Sequence, residues 1–232
     1  MFRDIDINEI SDGKLYDIDD EVPVGCNACE GCSECCQTTG DSIILDPYDM
    51  YNLSKVLNKS FEEMIEKEIE IRMVDELILP NIKLYDENNK NAEDKCPFLN
   101  ENKRCSIHKY RPGFCRLFPM GRYFFNSNDP SLNKKDYKYI LQINECTKPK
   151  EERYNVKLSE WIGIEDIEQY EQFVDKWHSF KINIQEILSQ MPEEKGIKMA
   201  RYILQIFYVI AYDTSKDFYE QFYHRMSKIS LK

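Results

Sequence analysis

The sequence contains few glycines and no glycine-rich loop. Its eight glycines are isolated from one another, so it has neither a phosphate-binding P-loop nor a dinucleotide-binding fingerprint. The spacing Cys-x3-Cys-x2-Cys, which generates radicals from S-adenosylmethionine, is also absent. These absences weigh against nucleotide-dependent enzymes and against an ordinary doubly wound methyltransferase domain.

Positive charge is outnumbered, with 31 Lys and Arg residues against 42 Asp and Glu residues. The net charge is -11 and the isoelectric point is about 4.9, which repels phosphate backbones, so we expect no nucleic-acid partner. One window, residues 102–128, reverses this trend because it holds no Asp or Glu. The window is either a chance basic surface or a source of positive charge that offsets thiolates around a metal. Its basic residues are Lys103, Arg104, Lys109, Arg111, Arg116 and Arg122.

The chain has no long hydrophobic run. Its start lacks a basic segment followed by an apolar stretch, so a secretory signal is not expected. The longest apolar stretch, Tyr202 to Tyr212, is interrupted by Gln205 and is too short to span a bilayer. We therefore expect a cytoplasmic protein without membrane contact. In the cytoplasm thiols stay reduced, and clustered cysteines indicate metal binding more often than disulfides.

Cysteine, by contrast, is abundant and clustered. Five of the nine cysteines lie within the eleven residues 26–36, in the stretch GCNACEGCSECCQ. Thiolates spaced two residues apart in a tight loop can turn toward one centre, and three of them with one remote cysteine commonly hold an iron-sulfur cluster. The same spacing suits zinc. Cysteine also serves as a small buried apolar residue, but the charged and polar neighbours here disfavour that role.

Three of the four later cysteines lie in two further phrases. CPFLNENKRCSI has two short arms around a polar turn, which predicts a hairpin that brings Cys96 and Cys105 together. In RPGFCRLFP, Pro112 opens and Pro119 closes a predicted helical turn that carries Cys115.

Together, CEGCSECC, CPFL and RPGFCRLFP resemble the YkgJ-type cysteine-cluster family, described as a zinc- or iron-chelating domain with a CxxCxxCC motif. Flagellin lysine-N-methylases are similar to that family. The resemblance covers roughly residues 24–150, although Ser33 replaces a common glycine and Cys26 lies outside the four-cysteine core. It implies that the metal ligands are Cys29, Cys32, Cys35, Cys36, Cys96, Cys105 and Cys115, with Cys146 as the last.

From the spacing and the resemblance we predict a metal-binding protein that holds an iron-sulfur cluster of the 4Fe-4S type. Zinc or iron is the alternative occupant. Arg111 and Arg116 are candidate cofactor-binding residues; each either donates to carbonyl groups or binds a substrate carboxylate. No general base or nucleophile stands out, so catalysis stays open. The resemblance implies one enzymatic alternative, a cluster-dependent protein lysine N-methylase with S-adenosylmethionine as cofactor and a protein as substrate.

The predicted fold class is α+β and mainly α: an irregular cysteine-rich domain with short strands, followed by a helical unit. We expect an acidic arm over residues 1–23, the metal-binding domain over 24–150 and the helical extension over 151–232. The predicted helices begin at Pro47 after an Asp46 cap, run from Ser60 to Arg72 and from Glu165 to Gln190, and begin again at Pro192 and Ser215. The predicted strands are Lys14 to Ile18, Glu76 to Tyr85, Arg122 to Phe125 and Tyr137 to Ile143.

Overall fold

The computed structural model describes residues 7–26, 32–38, 43–84, 95–125 and 137–229. The chain folds into two compact units. Unit A comprises Met1–Glu34 and Cys115–Phe180, and unit B comprises Cys35–Phe114 and Lys181–Lys232. The fold is α+β and mainly helical, with short antiparallel strand pairs and a helical C-terminal region, which confirms the predicted fold class.

Helices make up most of the regular structure. Those in the described residues are α1 (Ile7–Ile10), α2 (Cys35–Thr38), α3 (Pro47–Leu57), α4 (Phe61–Lys67), α5 (Gly113–Leu117), α6 (Leu158–Ile162), α7 (Ile167–Ser189), α8 (Glu193–Leu204) and α9 (Phe218–Ser227). Two 3-10 turns lie at His108–Tyr110 and Lys150–Glu152, and a π-helical segment, Gln205–Val209, follows α8.

The strands in the described residues form three separate antiparallel pairs. They are β1 (Glu21–Gly25) with β6 (Tyr154–Lys157), β2 (Ile69–Val74) with β3 (Leu77–Ile82), and β4 (Met120–Phe124) with β5 (Tyr137–Leu141). Gly25, at the end of β1, lies against the ring of Tyr154, where a Cβ atom would come within 2.3 Å of a ring carbon. This close approach explains why glycine precedes the first cysteine of the cluster.

An arginine whose guanidinium lies among three tyrosine rings organises the core of unit A. Arg122 in β4 pairs with Tyr139 in β5, and its guanidinium carbon lies 5.5–5.9 Å from the ring centroids of Tyr137, Tyr139 and Tyr170. Its Nη2 also donates a hydrogen bond to the Tyr170 hydroxyl at 3.3 Å. The aromatic faces therefore stabilise a cation inside the unit.

Unit B is built on two capped helices, a hairpin and the C-terminal helices. Asp46 caps α3 and Ser60 caps α4, as the sequence predicts, and each lies in a complete capping box. The β2–β3 hairpin turns through Asp75 and Glu76, which both adopt positive φ. The largest buried apolar side chains of this unit include Leu45, Met50, Leu53, Met64, Ile69, Leu77, Phe207 and Phe222.

Several predicted elements are confirmed and others are wrong. The strands near Arg122 and Tyr137 and the three C-terminal helices are present close to their predicted bounds. The helix predicted to reach Arg72 instead ends at Lys67, because Ile69–Val74 pairs with β3 and its β-branched residues suit a strand. The predicted strand Lys14 to Ile18 is reduced to a single bridge between Tyr16 and Tyr139. The sequence patterns do not indicate strands β1 and β6, which the structure contains.

Among the helices in the described residues, none combines the length and the apolar character needed to cross a membrane.

Truncation after Pro149 tests the predicted domain boundary. Within unit B, α8 packs against β3 and α9 packs against α3, so removing residues 150–232 should strip apolar cover from both elements. We expect the shortened chain to lose cooperative thermal unfolding by circular dichroism, whereas a control chain ending at Ile229 should keep it. If the shortened chain unfolds cooperatively and retains metal, the sequence-based boundary is correct.

Candidate metal centre

The adjacent cysteines of the CxxCxxCC phrase lie at the start of α2. The carbonyl oxygen of Cys36 accepts a hydrogen bond from the backbone N–H of Cys96 at 2.9 Å. This bond joins two phrases that lie 60 positions apart in the sequence (96 minus 36). The backbone therefore brings the first phrase against the start of the CPFL phrase.

Cys105 is delivered by the predicted hairpin. The N–H of Ser106 donates to the carbonyl of Phe98 at 2.8 Å, and Leu99 forms a β-bridge with Cys105. The Asn100 side chain closes the polar turn by accepting from the N–H of Arg104 at 2.9 Å. These contacts confirm the predicted hairpin. The polar Asn-Glu-Asn-Lys turn forms because one of its own side chains accepts a hydrogen bond from its backbone.

Four thiols of unit B interact, and we call them the thiol cluster: Cys35, Cys36, Cys96 and Cys105. Cys36 interacts with Cys35 and with Cys96 through its side chain, and each interaction affects its pKa. Cys105 is near enough to interact electrostatically with both Cys35 and Cys36. Cys96 is buried and the other three are half-buried. The cluster thus draws one sulfur pair from the CxxCxxCC phrase and one sulfur from each arm of the hairpin.

These contacts disfavour thiolates in the absence of a cation. The hydrogen bond from Cys35 lowers the pKa of Cys36, but its own bond to Cys96, its burial and the nearby Cys96 and Cys105 sulfurs outweigh this and raise that pKa to about 12. The hydrogen bond to Cys36, followed by burial, raises the pKa of Cys35. Burial is the main cause that raises the pKa of Cys105. A metal ion must therefore displace protons from these thiols.

Arg111 supplies positive charge beside the cluster. Its guanidinium opposes the rise in the pKa of both Cys35 and Cys105. Its Nη1 also contacts both ring nitrogens of His108 and lies 3.1 Å from Nδ1. Because a guanidinium can only donate, the imidazole here acts as an acceptor for Arg111. Arg111 therefore has the position expected of a residue that offsets thiolate charge.

Arg116, the other candidate cofactor-binding arginine, lies in unit A and contacts carbonyl groups. Its Nη1 is 3.2 Å from the carbonyl oxygen of Ile162 and 3.3 Å from that of Gly163, at the end of α6. The residue is buried. The sequence left two roles open for Arg116, donation to carbonyl groups and binding of a substrate carboxylate. These contacts match the first role.

The remaining candidate cysteines are not part of the thiol cluster as described. Cys29 lies outside the described residues. Cys32, Cys115 and Cys146 lie in unit A and are half-buried, and the carbonyl of Cys146 accepts from Arg153 Nη2 at 2.9 Å. Their role as ligands stays a prediction.

The donor chemistry of the thiol cluster fits a soft metal. Four sulfurs satisfy the coordination number of a closed zinc site or the cysteine count of an iron-sulfur cluster. No group of three or more His, Cys, Asp or Glu side chains in the described ranges has a ready-made metal-binding arrangement. Because the pKa values of Cys35, Cys36 and Cys105 are raised, metal binding at these thiols requires their deprotonation.

Comparison with known families gave a match. The profile described as "CxxCxxCC: Putative zinc- or iron-chelating domain" covers residues 28–146, just over half of the 232 residues. The matched span includes every cysteine of the thiol cluster together with Arg111 and Arg116. No solved structure matched the chain.

Replacing Cys96 by serine should damage the centre more than replacing Cys26. Serine removes a soft, buried sulfur at Cys96, so metal affinity should fall by more than the roughly 10- to 100-fold typical of residues around the ligands. Cys26→Ser is the matched control, because it changes the same chemistry outside the four-cysteine core. Metal per chain and the thermal midpoint, measured anaerobically, provide the comparison. Greater damage from Cys26→Ser would contradict the assignment.

The two arginines should behave differently when each is changed to glutamine. Arg116→Gln should cost about 1.5–3 kcal/mol of unfolding free energy, as expected for bonds from a charged donor, with little change in metal affinity. Arg111→Gln should mainly weaken metal binding. Denaturant titration and metal competition measure the two effects, and an equal loss of affinity in both variants would disprove the distinction.

Proposed function

Because this chain belongs to the CxxCxxCC family of zinc- or iron-chelating domains, we propose that its thiol cluster holds an iron-sulfur cluster. The convergence of Cys35, Cys36, Cys96 and Cys105 carries the proposal, since it joins the family's first cysteine phrase to both arms of its hairpin. The four sulfurs of the thiol cluster equal the number of cysteine ligands that a 4Fe-4S cluster takes. Zinc or mononuclear iron is the competing occupant.

The residues around the thiols support a negatively charged centre. Four thiolates leave net negative charge around a divalent metal or a cluster, and Arg111 and Arg104 both lower the pKa of Cys105 against the larger effect of burial. Arg111 acts in the same way on Cys35. Such neighbours orient the ligands and adjust their basicity.

When bound, an iron-sulfur cluster would supply electron-transfer or Lewis-acid chemistry, whereas zinc would act mainly as a structural link. The hairpin and α2 hold the ligands in either case. The buried position of Cys96 limits the access of water to its sulfur. We propose a non-catalytic role in electron transfer, delivery or storage as the first function of this centre.

The enzymatic alternative is a protein lysine N-methylase that uses S-adenosylmethionine. It is supported by the similarity of the cysteine phrases to those of flagellin lysine-N-methylases, and not by a catalytic base among the described residues. Transfer of a labelled methyl group from S-adenosylmethionine to a co-purifying protein would favour it. A Cys36→Ser enzyme provides the control for dependence on the centre.

Metal analysis after anaerobic purification tests the proposed occupant. We expect iron and acid-labile sulfide in equal amounts for the wild-type chain and a marked loss of both for Cys36→Ser, because the variant lacks one thiolate. Stoichiometric zinc without iron or sulfide would replace the iron-sulfur proposal by a zinc site. A chain without any of the three, before and after anaerobic reconstitution, would disprove metal binding at the thiol cluster.

A further inference from the structure

Asp49 connects the start of α3 to the segment that carries Arg111. Its Oδ2 accepts from the backbone N–H of Asp46 at 3.1 Å and completes the capping box. Its Oδ1 accepts from the backbone N–H of Gly113 at 2.8 Å, across a separation of 64 residues. One carboxylate therefore binds two backbone segments of unit B.

Helix capping alone does not explain the burial of this carboxylate. Glu63 occupies the equivalent position in the capping box of α4, where its Oε2 accepts from Ser60 N–H at 2.7 Å while the side chain stays exposed. Asp49 is only 4% exposed. Burial of a carboxylate is costly unless hydrogen bonds compensate it. The hydrogen bond from Gly113 compensates part of this burial cost, which the exposed carboxylate of Glu63 does not incur.

The segment between Gly113 and Arg111 is short and stiff. Only Pro112 separates the two residues, and its ring restricts its own φ angle. Arg111 has φ -57° and ψ 147°, the extended conformation that a following proline favours. Fixing the Gly113 amide thus also fixes the backbone from which the Arg111 side chain extends.

Arg111 carries the charge that links Asp49 to the thiol cluster. Its guanidinium contacts His108 and acts electrostatically on Cys35 and Cys105 in the thiol cluster. A small rotation at Gly113 would move this charge relative to both sulfurs, and the interaction weakens with distance.

We propose that Asp49 is a positioning residue of the metal centre: its bond to Gly113 holds Arg111 beside Cys35 and Cys105. This inference rests on the proposed function, in which those cysteines bind a metal. Asp49 is not a ligand in this scheme, because its two oxygens accept backbone hydrogen bonds. It acts on the centre only through Arg111.

Cobalt(II) binding to the metal-free, full-length protein tests this connection. The variants are Asp49→Asn, Arg111→Gln and the double variant, with Glu63→Gln as the matched control because it changes the equivalent acid of an exposed capping box. Affinity is measured by chelator competition, followed by the thiolate-to-cobalt charge-transfer absorption. A thermal midpoint for each metal-free variant reports the purely structural effect.

We expect Asp49→Asn and Arg111→Gln each to weaken cobalt binding about ten-fold or more, and Glu63→Gln to stay within about two-fold of wild type. The double variant should bind no more weakly than Arg111→Gln alone, because both changes remove the same interaction. Additive losses, or wild-type affinity in Asp49→Asn, would overturn the proposal.

A second variant keeps the test decisive if Asp49→Asn does not fold. Gly113→Pro removes the donated N–H at the first residue of α5, a helix position that tolerates proline, and leaves the cap of α3 unchanged. It should reproduce the loss of cobalt affinity. Wild-type affinity in a folded Gly113→Pro chain would overturn the role of the Asp49–Gly113 bond.

A metal-independent readout separates this inference from the proposed function. In the metal-free protein, Asp49→Asn should speed the hydrogen exchange of the Gly113 amide and shift the Arg111 Nε–H resonance, while Glu63→Gln should change neither. A wild-type chain that binds no cobalt would overturn the metal centre, and unchanged resonances in Asp49→Asn would overturn the positioning role.

Discussion

Repulsion between thiolates is the constraint on which the candidate centre depends. Four cysteines that meet in a partly buried place cannot all ionise without a compensating charge. Hydrogen bonding among these side chains and burial raise the pKa of Cys35, and the contact with Cys96 and burial raise the pKa of Cys36, so the thiol forms are favoured. A metal cation resolves the same conflict differently, by replacing the protons. Arg111 favours the second state because its charge opposes the rise in thiol pKa.

The acidic chain uses its arginines as internal donors. Within unit B, Arg225 lies 3.5 Å from the ring centroid of Tyr212, and its Nη1 donates to the carbonyls of Ile206 and Ile210 at 2.7 Å. These carbonyls belong to the π-helical segment and its end, where backbone acceptors lack helical partners. Arg225 thereby stabilises an irregular helix end against which α9 packs.

The arginines of the acid-free window, residues 102–128, have different roles in the structure. Arg111 interacts with thiols, Arg116 donates to the end of α6, and Arg122 lies among three tyrosine rings. The interpretation as a chance basic surface fails for Arg116, which is buried, and for Arg122, whose guanidinium lies inside unit A. Charge compensation of thiolates describes Arg111 but not the other two.

Local rules predicted the parts of the fold that local interactions determine. The starts of α3 and α4 follow from the side chains of Asp46 and Ser60, which bond to backbone groups three residues away. The end of α4 could not be predicted in this way. Ile69–Val74 forms a strand instead of extending the helix, because it pairs along its whole length with β3. The stabilisation by this pairing depends on a partner strand, so helix propensity within the segment does not predict it.

By itself, the sequence determined which residues are available to bind a metal. It also determined how cysteines close together in the chain are held, because the spacing of CxxCxxCC and the turn between Cys96 and Cys105 act over a few residues. Only the tertiary structure decided that Cys36 meets Cys96 and that Asp49 binds Gly113. Both contacts join segments 60 or more residues apart, so they exist only after packing has compensated the entropy of closing long loops. The spacing of residues along the chain does not show which distant segments the packing brings into contact.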